Sequence, residues 1–378
     1  MDDFKILIVA NSSWNIINFR FALIQHLKDQ GFMITVVAPE DPYSSEIRQC
    51  SFLNFIPLKN LQANSINIFR DLFLVKELYS IYKREHPDLI LQFTIKPNIY
   101  GSLAAKLLNL KVVSTITGLG YAFTKQRWFQ KPIEFIYKLA LSFNEFVFFH
   151  NADDLNYFID KSILKFGVGS VIPGSGVDTD YFKKSATDEK SSYFNFLFLG
   201  RLIEEKGVRE FVEAAKLIKR DHRNCCFYIA GKFLEKGNSA IPRTELNAWI
   251  QEQRIEYLGD SKDVKSLISN CDVVVLPSYR EGLPRAILEA MAMEKPVIVT
   301  DVPGCRDLVL NSMNGYIVPP RNIKLLAKAF EQMLELSTNE RIAMGLAGRQ
   351  MVLDKYDLKI ILTHYDILLR KLDLLKEA

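Results

Sequence analysis

The sequence predicts an α/β protein of two doubly wound domains, each a parallel sheet of the nucleotide-binding type, facing each other across a cleft. Short apolar runs alternate with amphipathic helical stretches along the whole chain, and the same scheme starts twice. The length of 378 residues suits two domains of roughly 150 residues each. Apolar residues make up 48% and charged residues 24%, which supplies two cores and excludes a disordered or fibrous chain.

In the first half, residues 4–10, 32–39, 88–93, 111–117 and 145–150 are apolar enough to read as buried parallel strands. Between them 18–30, 66–85, 97–108, 132–143 and 153–165 carry helical periodicity. In the second half the strands fall at 194–199, 226–231, 255–258, 272–277, 296–300 and 315–318, and the helices at 208–219, 244–252, 264–269, 286–293 and 323–336. Each half opens on an apolar run that ends in a loop residue, Asn11 in one and Arg201 in the other. The polar stretch 183–192 reads as the linker. The expected domains are therefore 1–182 and 183–356, with an apolar-periodic helix from 357 to the end returning to the first.

A formal net charge of +4 is too small for a general nucleic-acid binder. Five cysteines without a C-x-x-C pair argue against a disulfide framework or a structural zinc, and fit a reducing cytosol. The first residues are acidic and the first apolar run is short, unlike an export signal. No stretch approaches the ~20 apolar residues of a membrane span, so the chain is expected to be soluble or peripheral.

The densest chemical signal is S-Y-R-E-G-L-P-R-A-I-L-E-A at 278–290. A strand ends at Pro277, Glu281, Gly282 and Leu283 form a loop, and Pro284 stands at the first position of a helix. Backbone N–H groups at such a start suit a diphosphate. Glu281 in the loop and Glu289 inside the helix place two carboxylates to bind two sets of hydroxyls; an ordinary helix with acids near its N-terminus is the plainer alternative. A second signal, G-R-L-I-E-E-K-G at 200–207, follows the first strand of the second half. Arg201 and Lys206 flank a strand-to-helix loop where a phosphate would lie, and Gly207 permits close backbone approach. Each charge-assisted contact would contribute about 1.5–3 kcal/mol; a merely solvated first turn is the alternative.

Together the two segments resemble the retaining glycosyltransferases of family 4, which have the GT-B fold of two Rossmann-like domains. The family signature is a pair of glutamates with seven residues between, here Glu281 and Glu289, with an upstream G-R-x-x-x-x-K-G, here Gly200 to Gly207. The resemblance implies that Arg201 and Lys206 hold the donor diphosphate, that Glu281 with Gly282, Leu283 and Pro284 meets the donor sugar, and that Glu289 binds the ribose. It also assigns Gly200, Asn11 and Gly118 to the donor site. A narrower likeness lies in Q-F-T-I-K-P-N-I-Y-G at 92–101 and T-I-T-G-L-G-Y-A-F at 115–123. These are similar to bacterial enzymes that add an N-acetylhexosamine to a polyprenyl-diphosphate-linked sugar, the N-acetylgalactosaminyltransferase acting on bacillosamine-diphospho-undecaprenol among them. Where many family members carry a donor-contacting His, this chain has Thr117, Gly118, Leu119 and Gly120, so no catalytic His is assigned; His150 reads as structural.

Between residues 89 and 144 seven Lys or Arg face one acid, Glu134, and ten aromatics fall between 121 and 149. Basic residues interleaved with aromatics suit an anionic lipid surface and a diphosphate headgroup. Lys96, Thr117, Lys125, Arg127, Trp128, Phe129 and Lys131 are the expected acceptor or membrane residues. Asp178 and Asp180 match a metal-binding D-x-D, but they sit at the interdomain crossing and read as a turn. The expected activity is retaining, metal-independent transfer of N-acetylgalactosamine or N-acetylglucosamine from a UDP donor to an undecaprenyl-diphosphate-linked glycan, at the cytoplasmic face of the inner membrane. Alternatives are a non-hydrolysing UDP-N-acetylglucosamine 2-epimerase and a non-catalytic UDP-sugar-binding protein.

Overall fold

The computed structural model describes residues 4–62, 68–119, 127–184, 193–235, 237 and 239–375. The chain forms two compact units, residues 1–175 with 361–378, and residues 176–360.

The first unit holds a seven-stranded sheet of β1 (Lys5–Val9), β2 (Met33–Pro39), β3 (Leu53–Leu58), β4 (Leu89–Phe93), β5 (Val112–Ile116), β6 (Phe146–Phe149) and β7 (Gly169–Val171). The second holds a six-stranded sheet of β8 (Phe194–Leu199), β9 (Cys225–Ala230), β10 (Glu256–Gly259), β11 (Val273–Leu276), β12 (Val297–Thr300) and β13 (Gly315–Val318). Their orders are β3-β2-β1-β4-β5-β6-β7 and β10-β9-β8-β11-β12-β13. Every pairing between these strands is parallel. Parallel strands covered by helices on both faces are buried on both, so they read as unbroken apolar runs; Ile6 to Val9 and Val273 to Val275 have no exposed surface.

The two orders share one pattern: chain direction across the sheet reverses beside the first strand of each unit. That reversal opens a crevice at the carboxyl ends of the two central strands, where ligands of doubly wound sheets bind. It lies after β1 and β4 in one unit, and after β8 and β11 in the other. The loops at 200–207 and 277–284 leave the latter pair.

Among the elements absent from the sequence reading are the short helix Ser44–Arg48, β3, β7 and the helix Thr338–Lys355. That helix buries Met344, Gly345, Gly348 and Val352, so its inner face lacks the large apolar residues that mark a helix in sequence. Gly345 is required there: a Cβ would stand 2.0 Å from the carbonyl oxygen of Glu294. The close approach seats this helix on the helix Arg285–Ala292, with Gly348 against Met291 and the Arg349 guanidinium donating to the carbonyl of Ala292.

The unit boundary falls at 175/176 rather than 182/183. Val177 and Phe182 pack in the core of the second unit, and Val177 bridges Asp357 as the chain returns. The predicted linker lies, from 185 on, outside the described residues. The terminal helix Leu358–Lys371 buries Ile361, Tyr365, Leu368 and Leu369 in the first unit's core, with the Tyr365 ring 5.3 Å from that of Phe148. Asp366 on its outer edge accepts from Gln30 at 2.7 Å and lies 2.7 Å from the His26 ring nitrogen. Truncating Leu369, which is 1% exposed, to Ala is expected to cost about 2–4 kcal/mol of first-unit stability, read by chemical denaturation. A cost under about 0.5 kcal/mol would mean that the helix is only loosely docked.

Candidate functional site

In the second unit β8 ends at Leu199, and the chain turns through Gly200 and Arg201 into a single 3-10 turn, Glu204–Lys206. Gly207 follows with φ +70, then the helix Val208–Asp221 begins. A Cβ on Gly207 would stand 2.0 Å from the carbonyl oxygen of Pro277, so only glycine lets this loop lie against the loop leaving β11. The backbone N–H of Tyr279 donates to the carbonyl of Glu205 at 2.8 Å and binds the two loops together. The Tyr279 hydroxyl donates to Glu210 at 2.6 Å while the Arg321 guanidinium covers its ring at 4.3 Å. Burial, then the bonded Glu210, hold that phenol far above its ordinary pKa, so it stays a donor.

This convergence brings the two motifs into one cluster. Lys206 Nζ lies 2.5 Å from Glu281 Oε1, with side chains 19% and 11% exposed. Ser278 Oγ donates to the same oxygen at 2.6 Å. A largely buried ion pair gains little over an apolar pair of similar volume, so it is a poor route to stability. It is a good way to hold a cation and a carboxylate ready at a crevice. Arg201 is exposed and, among the described residues, its side chain makes no hydrogen bond or ion pair. Beneath the cluster the Cys305 thiol is fully buried; burial first, then the Glu281 charge, push its pKa well up and leave it inert.

Pro284 is the N-cap of the helix Arg285–Ala292 rather than its first residue, with extended backbone and no side-chain acceptor. Gly282 and Leu283 form the loop just before it. Glu289, 8% exposed, lies 2.7 Å from Arg285 one turn earlier on the same helix. Burial raises its carboxyl above the ordinary range, and Arg285 offsets part of that. The two glutamates thus differ: Glu281 is gripped by a cation and a hydroxyl, Glu289 is buried against a neighbouring arginine.

In the first unit Asn11 and Thr117 stand in the loops that follow β1 and β5, and Gly118 has φ +130. Lys96 is engaged within the unit: its ammonium lies 2.6 Å from Asp71, whose other oxygen accepts from Tyr100 at 2.8 Å. Lys125 lies outside the described residues; Arg127, Trp128 and Phe129 begin the helix Arg127–Leu141, with their side chains outside the described set. On that helix Lys131, Phe135, Lys138 and Leu139 are exposed, while Glu134 accepts from the Tyr157 hydroxyl. His150 is buried, and burial with the nearby Arg20 charge lowers its pKa to about 3. Asp178 accepts from the backbone N–H groups of Asp180 and Tyr181 at 3.0 and 2.9 Å, the turn that its sequence context suggests.

Sequence reasoning missed Ser278 and Asp71 as partners of the site residues. A hydroxyl three residues before Glu281 was a usable signal for the first; nothing local pointed to Asp71, which is 25 residues from Lys96.

Residues 178–351 match the family model of group 1 glycosyl transferases, and residues 5–151 match that of glycosyl transferase 4-like domains. The chain is 28% identical to the N,N'-diacetylbacillosaminyl-diphospho-undecaprenol alpha-1,3-N-acetylgalactosaminyltransferase of Campylobacter jejuni, over 96% of this chain and 97% of that one. It is 27% identical to the UDP-Gal:alpha-D-GlcNAc-diphosphoundecaprenol alpha-1,3-galactosyltransferase of Escherichia coli, over 82% of each. The crystal structure of HepE from Anabaena in complex with UDP superposes with a TM-score of 0.78 at 19% identity, over 97% of this chain and 100% of that one. The architecture is the GT-B fold, as expected from the two motifs.

Replacing Gly207 with Ala is expected to lower second-unit stability by about 1–3 kcal/mol. Thermal melting checks this; an unchanged melting temperature would mean the loops need not approach so closely. The His150 imidazole is expected to keep its neutral NMR shifts from pH 8 to pH 5, since its folded pKa lies below that window. A titration midpoint near 6 would place it in contact with water.

Proposed function

We propose that this chain, which belongs to the glycosyltransferases by the group 1 model over its second half and the 4-like model over its first, transfers an N-acetylhexosamine from a UDP donor to an undecaprenyl-diphosphate-linked glycan. The observation that carries this reading is the Lys206–Glu281 pair at the strand-order reversal of the second sheet, with the exposed Arg201 on the same loop as Lys206. A cation pair at such a crevice binds a diphosphate, and a carboxylate beside it binds sugar hydroxyls. Two relatives that act on diphospho-undecaprenol-linked sugars support a lipid-diphosphate acceptor, and the UDP-Gal-dependent one of them, with the UDP-bound HepE, supports the donor. N-acetylgalactosamine is the first choice of sugar and N-acetylglucosamine the second, by likeness to the Campylobacter enzyme.

In the proposed reaction the bond between the sugar C1 and the UDP oxygen breaks, and a bond from C1 to the acceptor hydroxyl oxygen forms on the same face. Anomeric configuration is retained. Arg201, Lys206 and the N-terminus of the helix Arg285–Ala292 stabilise the negative charge that grows on departing UDP. A phosphate oxygen of UDP takes the acceptor proton, so the mechanism asks for no protein base and no metal.

Acceptor binding belongs to the first unit. The helix Arg127–Leu141 supports attachment to an anionic cytoplasmic leaflet: Phe135 is 68% and Leu139 44% exposed, flanked by Lys131 and Lys138. Its single acid, Glu134, accepts from the Tyr157 hydroxyl. Among the described residues no helix is long and apolar enough to cross a membrane.

Calorimetric titration with UDP, GDP and ADP, with and without EDTA, is expected to show UDP-selective binding that EDTA does not change. Glu281→Ala and Lys206→Ala are each expected to lower transfer from a UDP-N-acetylhexosamine about 100-fold or more while the protein stays folded. Preference for GDP or ADP would overturn the donor, and undiminished transfer in both variants would overturn the site.

A further inference from the structure

Both hydrogen-bond donors that reach Glu281 land on one oxygen. Lys206 Nζ and Ser278 Oγ lie 2.5 and 2.6 Å from Oε1, while Oε2 has no partner among the described residues. Oε2 is also absent from the buried polar atoms that lack a partner, so it is open to solvent. The carboxylate is therefore held at one end and open at the other.

The two donors behave differently once an anion arrives. Lys206 is a point charge on a flexible four-carbon stem. A nucleoside diphosphate brings more negative charge than one carboxylate, and so attracts the ammonium more strongly. Ser278 is uncharged and has no such alternative. It is also fixed: it has no exposed surface, follows β11 after one residue, and its carbonyl accepts from the Thr300 hydroxyl. Thr300 closes β12, which pairs with β11. The hydroxyl that grips Glu281 is thus tied to two adjacent strands in the middle of the sheet, and its place does not depend on what the loop binds.

We propose that Ser278 is a positioning residue that keeps Glu281 in place when the donor diphosphate draws Lys206 away, leaving Oε2 open to a hydroxyl of the donor sugar. Lys206 then serves two partners in turn, Glu281 in the empty site and phosphate in the filled one. The inference rests on the donor assignment above. It adds that recognition of the sugar and recognition of the diphosphate are separable, with Ser278 acting on the sugar alone.

The test compares UDP with UDP-N-acetylgalactosamine and UDP-N-acetylglucosamine by calorimetry on the whole chain. In Ser278→Ala, UDP affinity is expected to stay within twofold of wild type, while the ratio of the UDP-sugar Kd to the UDP Kd rises about tenfold, the worth of one charge-assisted hydrogen bond. The KM for the UDP-sugar should rise with it. Ser278→Thr keeps the hydroxyl and should keep the wild-type ratio, which separates positioning from a general disturbance of the loop. A ratio within twofold of wild type in Ser278→Ala overturns the inference, and so does an equal loss of UDP and UDP-sugar binding, which would make Ser278 a support of the whole loop. If the wild-type chain binds none of the three nucleotides, the donor assignment itself fails, a result distinct from either of these.

Discussion

Two backbone segments must touch at the centre of the second sheet for this site to exist. The loop after β8 lies against the loop after β11 so closely that a single added carbon on Gly207 would overlap the Pro277 carbonyl. Everything chemical in the second unit follows from that contact. The hydrogen bond from Tyr279 to Glu205 crosses it, the Lys206 ammonium reaches Glu281 over it, and Arg201 is exposed on the same loop as Lys206. Strand order supplies the place, since β8 and β11 are neighbours whose crossovers leave on opposite sides of the sheet. Burial supplies the rigidity, from the fully enclosed apolar strands below to the glycine-seated helix Thr338–Lys355 behind.

The electrostatics of the cluster divide the work among groups that look alike in sequence. Lys206 and Arg201 are both cations of one loop, yet one is held by a carboxylate and the other, among the described residues, has no ion pair. Glu281 and Glu289 belong to one motif, yet Glu281 is pinned through a single oxygen and Glu289 is enclosed on its helix beside Arg285. Such differences come from which neighbour lies within about 3 Å, and a carboxylate that is hydrogen-bonded through one oxygen keeps the other for a ligand. The first unit makes a parallel economy. Lys96 is matched by the buried Asp71 and the Tyr100 hydroxyl, so this cation is balanced at home. The cations of the helix Arg127–Leu141, Lys131 and Lys138, face solvent between exposed apolar residues.

Much of the fold was legible because parallel strands buried on both faces leave unbroken apolar runs, and amphipathic helices leave a period near 3.6. Where those signals weaken, elements went unread. The helix Thr338–Lys355 turns glycines inward, and β3 carries Pro57 among half-buried residues. Pro284 serves as the cap of the site helix and not as its first residue. The glutamate pair and the G-R-x-x-x-x-K-G segment were recognisable because their spacing is local, within a single loop or the first turns of one helix.

By itself the sequence determined the fold class, the family and the residue types brought to the crevice, since those depend on patterns within a few turns or strands. Only the tertiary structure decided how these residues are paired. Lys206 meets Glu281 across 75 positions, Lys96 meets Asp71 across 25, and Ser278 is anchored through Thr300 on the next strand. Hydrogen bonds and ion pairs act over about 3 Å, and which groups come that close depends on how strands are ordered in the sheet, which no local pattern records.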